Sequence, residues 1–284
     1  MIYIIINADD LGKDHAVNIA ISEALNGKFI TSASIMANSS YWDEIHKIVE
    51  DNPQASYGVH LNLTEGRAMT NSPILRQYNI VDNDNCFTKQ VWNIKEFPDG
   101  LLTAIEEEWD AQLNKIINDE RINVSHIDGH HHIHTFYPFR YILIKLLRKY
   151  NIRKVRIIFN TQMTISRAIF YKVIELMSLS SCIVNILRKA TGKSLVIKKI
   201  YNIMKRERWK SEISKVAQSS DYFNSYSAQL SLCKINKAIL KQNNVIELMC
   251  HPGHILYQEE YQQIKKRLLE KYIKNICYIN QKEF

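Results

Sequence analysis

Short apolar runs that break off at polar residues recur along the chain. Ile2–Ile6 is continuous and rich in β-branched residues, then stops at Asn7-Ala-Asp-Asp-Leu-Gly12. A run this short reads as a fully buried strand. Val245-Ile-Glu-Leu-Met-Cys250 repeats the pattern and ends at His251-Pro-Gly253, where Pro252 disfavours helical backbone at His251. Over Tyr57–Thr64, Val59, Leu61 and Leu63 alternate with His60, Asn62 and Thr64, the period of a strand with one polar face. Thr31–Ala37 and Lys154–Phe159 are further strand candidates. Between these runs the period lengthens. His15–Asn26 sets Ala16, Ile19, Ala20 and Ala24 on one helical face, with Gly27 in the position of a C-terminal cap. Tyr41–Glu50, Leu101–Asn118, Tyr137–Tyr150, Gln162–Lys189 (interrupted near Ser178) and Glu259–Tyr272 also read as helices. Strands alternating with helices of this length predict a parallel sheet.

The chemistry gathers where the strands stop. His126-Ile-Asp-Gly-His-His-His-Ile-His134 holds five of the ten histidines. Read as a strand, it places His126, Asp128, His130, His132 and His134 on one face. An apolar core has no use for such a face, because each imidazole and carboxylate would need a buried polar partner. The array is therefore read as a metal or acid–base site rather than a surface histidine tract. Asp9 and Asp10 end the first strand pointing in different directions, so one can hold a metal while its neighbour handles protons. One of them could instead cap the helix that follows. His60 and His251 stand at or near the ends of two further strands. Functional residues at the ends of several strands mark a (β/α) barrel or an open parallel sheet. The barrel is favoured, because no glycine-rich phosphate loop follows the first strand.

Four stretches, Asn7-Ala-Asp-Asp-Leu-Gly12, Gly58-Val-His-Leu61, His126–His134 and Met249-Cys-His-Pro-Gly253, resemble in order the motifs of the YdjC-like carbohydrate deacetylases, which include chitooligosaccharide deacetylases. The resemblance implies a modified, incomplete (β/α) barrel of the TIM-barrel-like type. It also implies a divalent metal, magnesium by expectation, and hydrolysis of the N-acetyl group of an acetylated sugar. Carried over residue by residue, it suggests Asp10, His60 and His130 as metal ligands and Asp9 as catalytic base. His251 becomes an acid or oxyanion partner. The residue chemistry agrees: one carboxylate and two imidazoles leave positions open for water and an acetyl oxygen. That ligand set suits zinc, iron, cobalt or manganese better than magnesium, so zinc is a second expectation. Asp128, His132 and His134 are expected to orient the ligands. Arg156 is expected either to support a carboxylate of the site or to have a plain structural role. The rival classes are a metal hydrolase acting on another small molecule and a non-catalytic sugar-binding protein; retention of both Asp9 and Asp10 argues against the second.

Length fits one barrel-sized domain over residues 1–284. Cys86, Cys182, Cys233, Cys250 and Cys277 are odd in number and lack paired spacing, so reduced thiols and a cytoplasmic protein are expected. The apolar N-terminus is too short for a secretory signal. Ala168–Leu187 is apolar, but Lys172, Glu175 and several serines break it, so no membrane span is expected. The formal charge of +8 comes mostly from Arg140–Lys210, with eighteen Lys or Arg against Glu175 and Glu207. Such a strip is either an anion-binding surface or a solvated helical face, and without a recognised motif no nucleic-acid partner is expected. It overlaps a variable segment at about residues 161–240, expected to shape the sugar cleft or a subunit contact, which would make a homodimer. Trp92, Trp109, Tyr137 and Trp209 are candidates for stacking on sugar rings, or for core packing.

Overall fold

The computed structural model describes residues 1–158, 186, 195–236 and 244–284. The helix expected at Gln162–Lys189, the apolar stretch Ala168–Leu187 (Ile186 excepted) and Cys182 lie outside the described residues. Among the described residues, seven strands form one all-parallel sheet: β1 (Ile2–Leu11), β2 (Ser32–Ile35), β3 (Ser56–Leu61), β4 (Val124–Gly129), β5 (Tyr222–Ser225), β6 (Val245–Cys250) and β7 (Ile276–Tyr278). The order is β4-β3-β2-β1-β6-β5, and β7 pairs with the start of β1. β1 is central because its apolar run has no polar face to present to water; Ile4, Ile5, Ala8 and Leu11 are wholly buried.

Helices α1 (His15–Asn26), α2 (Trp42–Asp51), α3 (Pro73–Gln77), α4 (Asp99–Asn114), α5 (Arg140–Lys149), α6 (Leu195–Ile213), α7 (Tyr226–Asn236) and α8 (Gln258–Lys265) occupy the connections. The α1 cap is Asp14, whose side chain accepts from Val17 N, which releases Asp9 and Asp10 from any capping role. Gly27 does close α1, donating to Glu23 O, in right-handed conformation.

Beyond β4 the sheet continues through single bridges. Arg156 N donates to Ile127 O, and Val155 N donates to Gln218 O, shortly before β5. The two edges of the sheet are thus drawn together by a narrow seam, which gives the incomplete barrel that the resemblance implied. Lys154–Phe159 contributes these bridges rather than a full strand, and Phe159 lies outside the described residues. The functional strand ends Asp10, His60, Asp128 and His251 all lie toward the C-terminal ends of the parallel strands, the face that gathers active sites in such folds. Among the described residues no helix is long and apolar enough to cross a membrane.

Candidate metal and acid–base site

Asp10 sits where β1 loses its pairing register with β2, between Ala8 and Leu11. Its φ of 73° lies in the left-handed region, unusual for a residue with a Cβ. This twist accompanies the register shift at the end of β1. Asp10 Oδ1 accepts from His130 Nδ1 at 2.8 Å and lies 3.2 Å from His60 Nε2. Burial would raise the Asp10 pKa, but the hydrogen bonds from His130 and His60 hold it well below the usual carboxylate range. Asp9 turns the other way, into a two-pronged ion pair with Arg156: Nη1 to Oδ2 at 2.7 Å and Nη2 to Oδ1 at 2.8 Å. Asn7 Nδ2 also donates to Asp9 Oδ1 at 2.9 Å. Burial opposes its charge, yet Arg156 outweighs it and keeps Asp9 ionised.

His60 is fixed from behind: its Nδ1 donates to Asp128 Oδ1 at 2.7 Å, which turns Nε2 toward Asp10. Burial works against a charged His60, but Asp128 and Asp10 raise its pKa to about 10. Asp128 is held in turn by Ser34 Oγ at 2.6 Å and Arg156 Nη2 at 2.8 Å. Arg156 also donates from Nε to Glu247 Oε1, so one buried guanidinium binds three buried carboxylates.

The nine-residue histidine array is not one strand. β4 stops at Gly129, and His130–Thr135 is a tight helical turn with left-handed backbone at His131 (φ 50°) and His132 (φ 57°). The shared face therefore breaks up after Asp128. His126 is buried against Ser34 and Ser125. His130 reaches Asp10. His134 Nε2 donates to the Arg156 carbonyl at 3.0 Å. His132 packs edge-on to Phe223, its Nδ1 without a hydrogen-bond partner. His251 directly follows the Ala8–Cys250 pair of β1 and β6 and stacks on Tyr257, with ring centroids 4.6 Å apart. It is in none of the tight donor groups among the described residues. Trp109 and Trp209 are wholly buried and belong to the core, whereas Trp92 is 41% exposed.

Sequence reasoning missed Asn7, Lys13, Ser34, Glu65 and Glu247. Glu65 Oε2 accepts from His130 Nε2 at 2.8 Å, and Lys13 Nζ lies 3.0 Å from Glu65 Oε1. A polar residue inside an apolar run was the available signal for Asn7, Ser34 and Glu247. Glu65 had none, because its loop is placed by Asn62, which accepts from Thr64 N and Glu65 N and donates to Glu65 O.

Three donor groups occur among the described residues; beside Glu65, His130 and His131, the two at the strand ends compare unequally as metal sites. Asp9, His60 and Asp128 converge, but Arg156 already neutralises both carboxylates. Asp10, His60 and His130 offer a carboxylate oxygen and two imidazole nitrogens within 4.8 Å of one another, all buried. With His60 backed by a carboxylate, as metal-bound histidines usually are, this second set fits a divalent cation.

The YdjC-like protein family matches residues 3–284 of the chain. A carbohydrate deacetylase of Geobacillus stearothermophilus is 33% identical over 163 residues, covering 54% of this chain and 60% of the relative. One from Oceanobacillus iheyensis is 31% identical over 147 residues, 52% of this chain and 61% of the relative. The matched stretch thus spans about three-fifths of the length of these curated relatives. A crystal structure from Enterococcus faecalis V583, of a protein provisionally called a cellobiose-phosphate cleavage protein, superposes with a TM-score of 0.65. It covers 99% of this chain and 97% of its own at 20% identity, a likeness of fold.

Proposed function

The chain belongs to the YdjC-like family, and on that premise we propose that it is a metal-dependent carbohydrate deacetylase. It removes the N-acetyl group from an acetylated mono- or oligosaccharide of the chitooligosaccharide kind. The observation that carries this reading is the buried Asp10–His60–His130 cluster lying beside an ionised Asp9 held by Arg156. Relatives named carbohydrate deacetylases support it.

Asp10, His60 and His130 would hold the cation, magnesium on the family expectation and zinc on the donor set. When bound, a divalent cation supplies a Lewis acid that acidifies a water and polarises the acetyl carbonyl. Asp128 fixes the tautomer and direction of His60. Asp9 takes the proton of the attacking water at its carboxylate; Arg156 and Asn7 aim it and keep it ionised. Held by three donors, Asp9 is a weak base, suited to a water whose acidity is already raised. His251, at the end of β6 beside β1, delivers a proton to the departing sugar nitrogen.

The test is acetate release from N-acetylglucosamine and short chitin oligomers, using metal-stripped protein and protein restored with magnesium, zinc, manganese or cobalt. Restored protein should release acetate. Asp10→Asn and His130→Ala should lose both bound metal and activity. Asp9→Asn should keep its metal and lose at least about a hundredfold in kcat. A fully active Asp9→Asn variant would remove Asp9 as the base.

A further inference from the structure

The two imidazoles of the proposed metal group are each held from behind, by carboxylates from different parts of the chain. Asp128 takes the Nδ1 proton of His60 and leaves Nε2 toward Asp10. Glu65 does the converse to His130: its Oε2 accepts from Nε2 at 2.8 Å, while Nδ1 faces Asp10 Oδ1 at 2.8 Å. An imidazole that gives the proton of one ring nitrogen to a carboxylate offers the lone pair of the other to a cation.

Glu65 is itself aimed. Lys13 Nζ lies 3.0 Å from Glu65 Oε1 and 4.0 Å from Asp10 Oδ2, closing a ring of alternating acids and bases through Asp10, His130, Glu65 and Lys13. The backbone of Glu65 is fixed separately. Asn62 Oδ1 accepts from its N–H, and Asn38 and Asn62 both donate to its carbonyl. Its side chain is therefore not what holds the loop; the two oxygens meet Lys13 and His130 instead.

Glu65, His130 and His131 also stand close enough to share a cation of their own. Two contacts oppose that use. Lys13 already balances the Glu65 carboxylate, and His131 Nδ1 is engaged with Thr64 Oγ1 at 2.9 Å. A cation on His130 Nε2 would also displace the proton that Glu65 accepts.

We infer that Glu65 is the positioning residue of His130, fixing the tautomer and ring direction that present Nδ1 to the cation. The role rests on the metal site of the deacetylase reading and adds to it a residue outside the four sequence motifs. It mirrors on the loop after β3 what Asp128 does for His60 from β4.

The test is binding of zinc, by calorimetry, and of cobalt(II), by its absorption spectrum, to metal-stripped wild type, Glu65→Ala and Glu65→Gln. Wild type should take up a single cation per chain. Glu65→Ala should bind zinc about ten- to a hundredfold more weakly and shift the cobalt spectrum. Glu65→Gln should fall between the two, because its amide oxygen still accepts the Nε2 proton. Thermal melting checks that each variant is folded, and a merely structural Glu65 would change melting without changing the cobalt spectrum. Glu65→Ala with wild-type affinity and spectrum overturns the assignment. So does a wild type that binds two cations of which Glu65→Ala loses one, since Glu65 would then be a ligand. A wild type that binds no cation overturns the metal site and this role together. Tight binding weakened by Glu65→Ala, with no acetate released by any metal form, overturns the reaction and keeps the role of Glu65.

Discussion

Adjacent aspartates at a strand end face opposite sides of the sheet, but that alternation alone does not choose their partners. Here a left-handed Asp10, a conformation that costs about 1–3 kcal/mol for such a residue, sends them to opposite partners. The surrounding imidazoles over-determine that conformation, which is why it persists. Histidines that do not contact Asp10 behave differently. His126 and His134 are buried and kept neutral, their pKa values pushed down by desolvation to about 4 and about 3. A group with a depressed folded pKa contributes stability that is present above its unfolded value, 6.5 for histidine, and lost as pH falls through the folded value. The melting temperature is therefore expected to fall progressively from pH 6.5 toward pH 3 to 4. His134→Asn should flatten that slope in melts recorded across the same window. An unchanged slope would show that His134 is charged in the folded protein. At this scale residue types were legible along the chain and their partners were not. The cost of burying imidazoles marked His126–His134 as special, but nothing local distinguishes His130, which meets Asp10, from His134, which donates to a backbone carbonyl.

Elements were more legible than their ends. The apolar runs placed β1 and β6, alternation placed β3, and the helical period placed α1 and α2, because period and length are local properties. The errors lie where a tertiary contact decides. β4 ends at Gly129 because the following histidines turn inward to separate partners. Leu101–Asn118 begins and ends differently, as α4 (Asp99–Asn114) followed by a wider helical turn at Lys115–Asp119. Inside α4, Glu108 and Gln112 are buried so that they can hold the Asn62–Thr70 loop: Glu108 accepts from Met69 N and Thr70 N, and Gln112 accepts from Asn62 N. Strand packing makes one sharp demand. A Cβ on Gly58 of β3 would come within 2.4 Å of His126 Nε2. Gly58→Ala should therefore force β3 and β4 apart and cost about 1–3 kcal/mol, read as a lower denaturation midpoint. Pairing it with His126→Ala should recover part of that loss. No recovery would place the strain elsewhere.

Across the whole molecule, one guanidinium ties the edge strand β4 to the interior strands β1 and β6. Arg156 leaves the seam segment beside β4 and pairs with carboxylates of β1 (Asp9), β4 (Asp128) and β6 (Glu247). Burial disfavours its charge, but these three anions raise its pKa well above its ordinary value. Removing one partner of a buried ionic group strands the others, so Arg156→Leu should destabilise the protein by about 3–5 kcal/mol. Urea denaturation measures this directly; a loss under about 1 kcal/mol would mean the carboxylates find water or protons instead.

The sequence by itself determined the alternation of strands and helices, the parallel sheet that follows from it, and the chemical types at the strand ends. Each depends on periods of two or 3.6 residues and on the cost of burying polar groups, which act within a few positions of the chain. Tertiary structure decided which carboxylate faces which imidazole, that Arg156 serves three acids, that Glu65 reaches His130, and that Trp92 stays exposed while Trp109 and Trp209 fill the core. Those choices rest on strand register, on a bulge at Asp9–Asp10 and on the curl of the sheet, which bring together residues up to 147 positions apart.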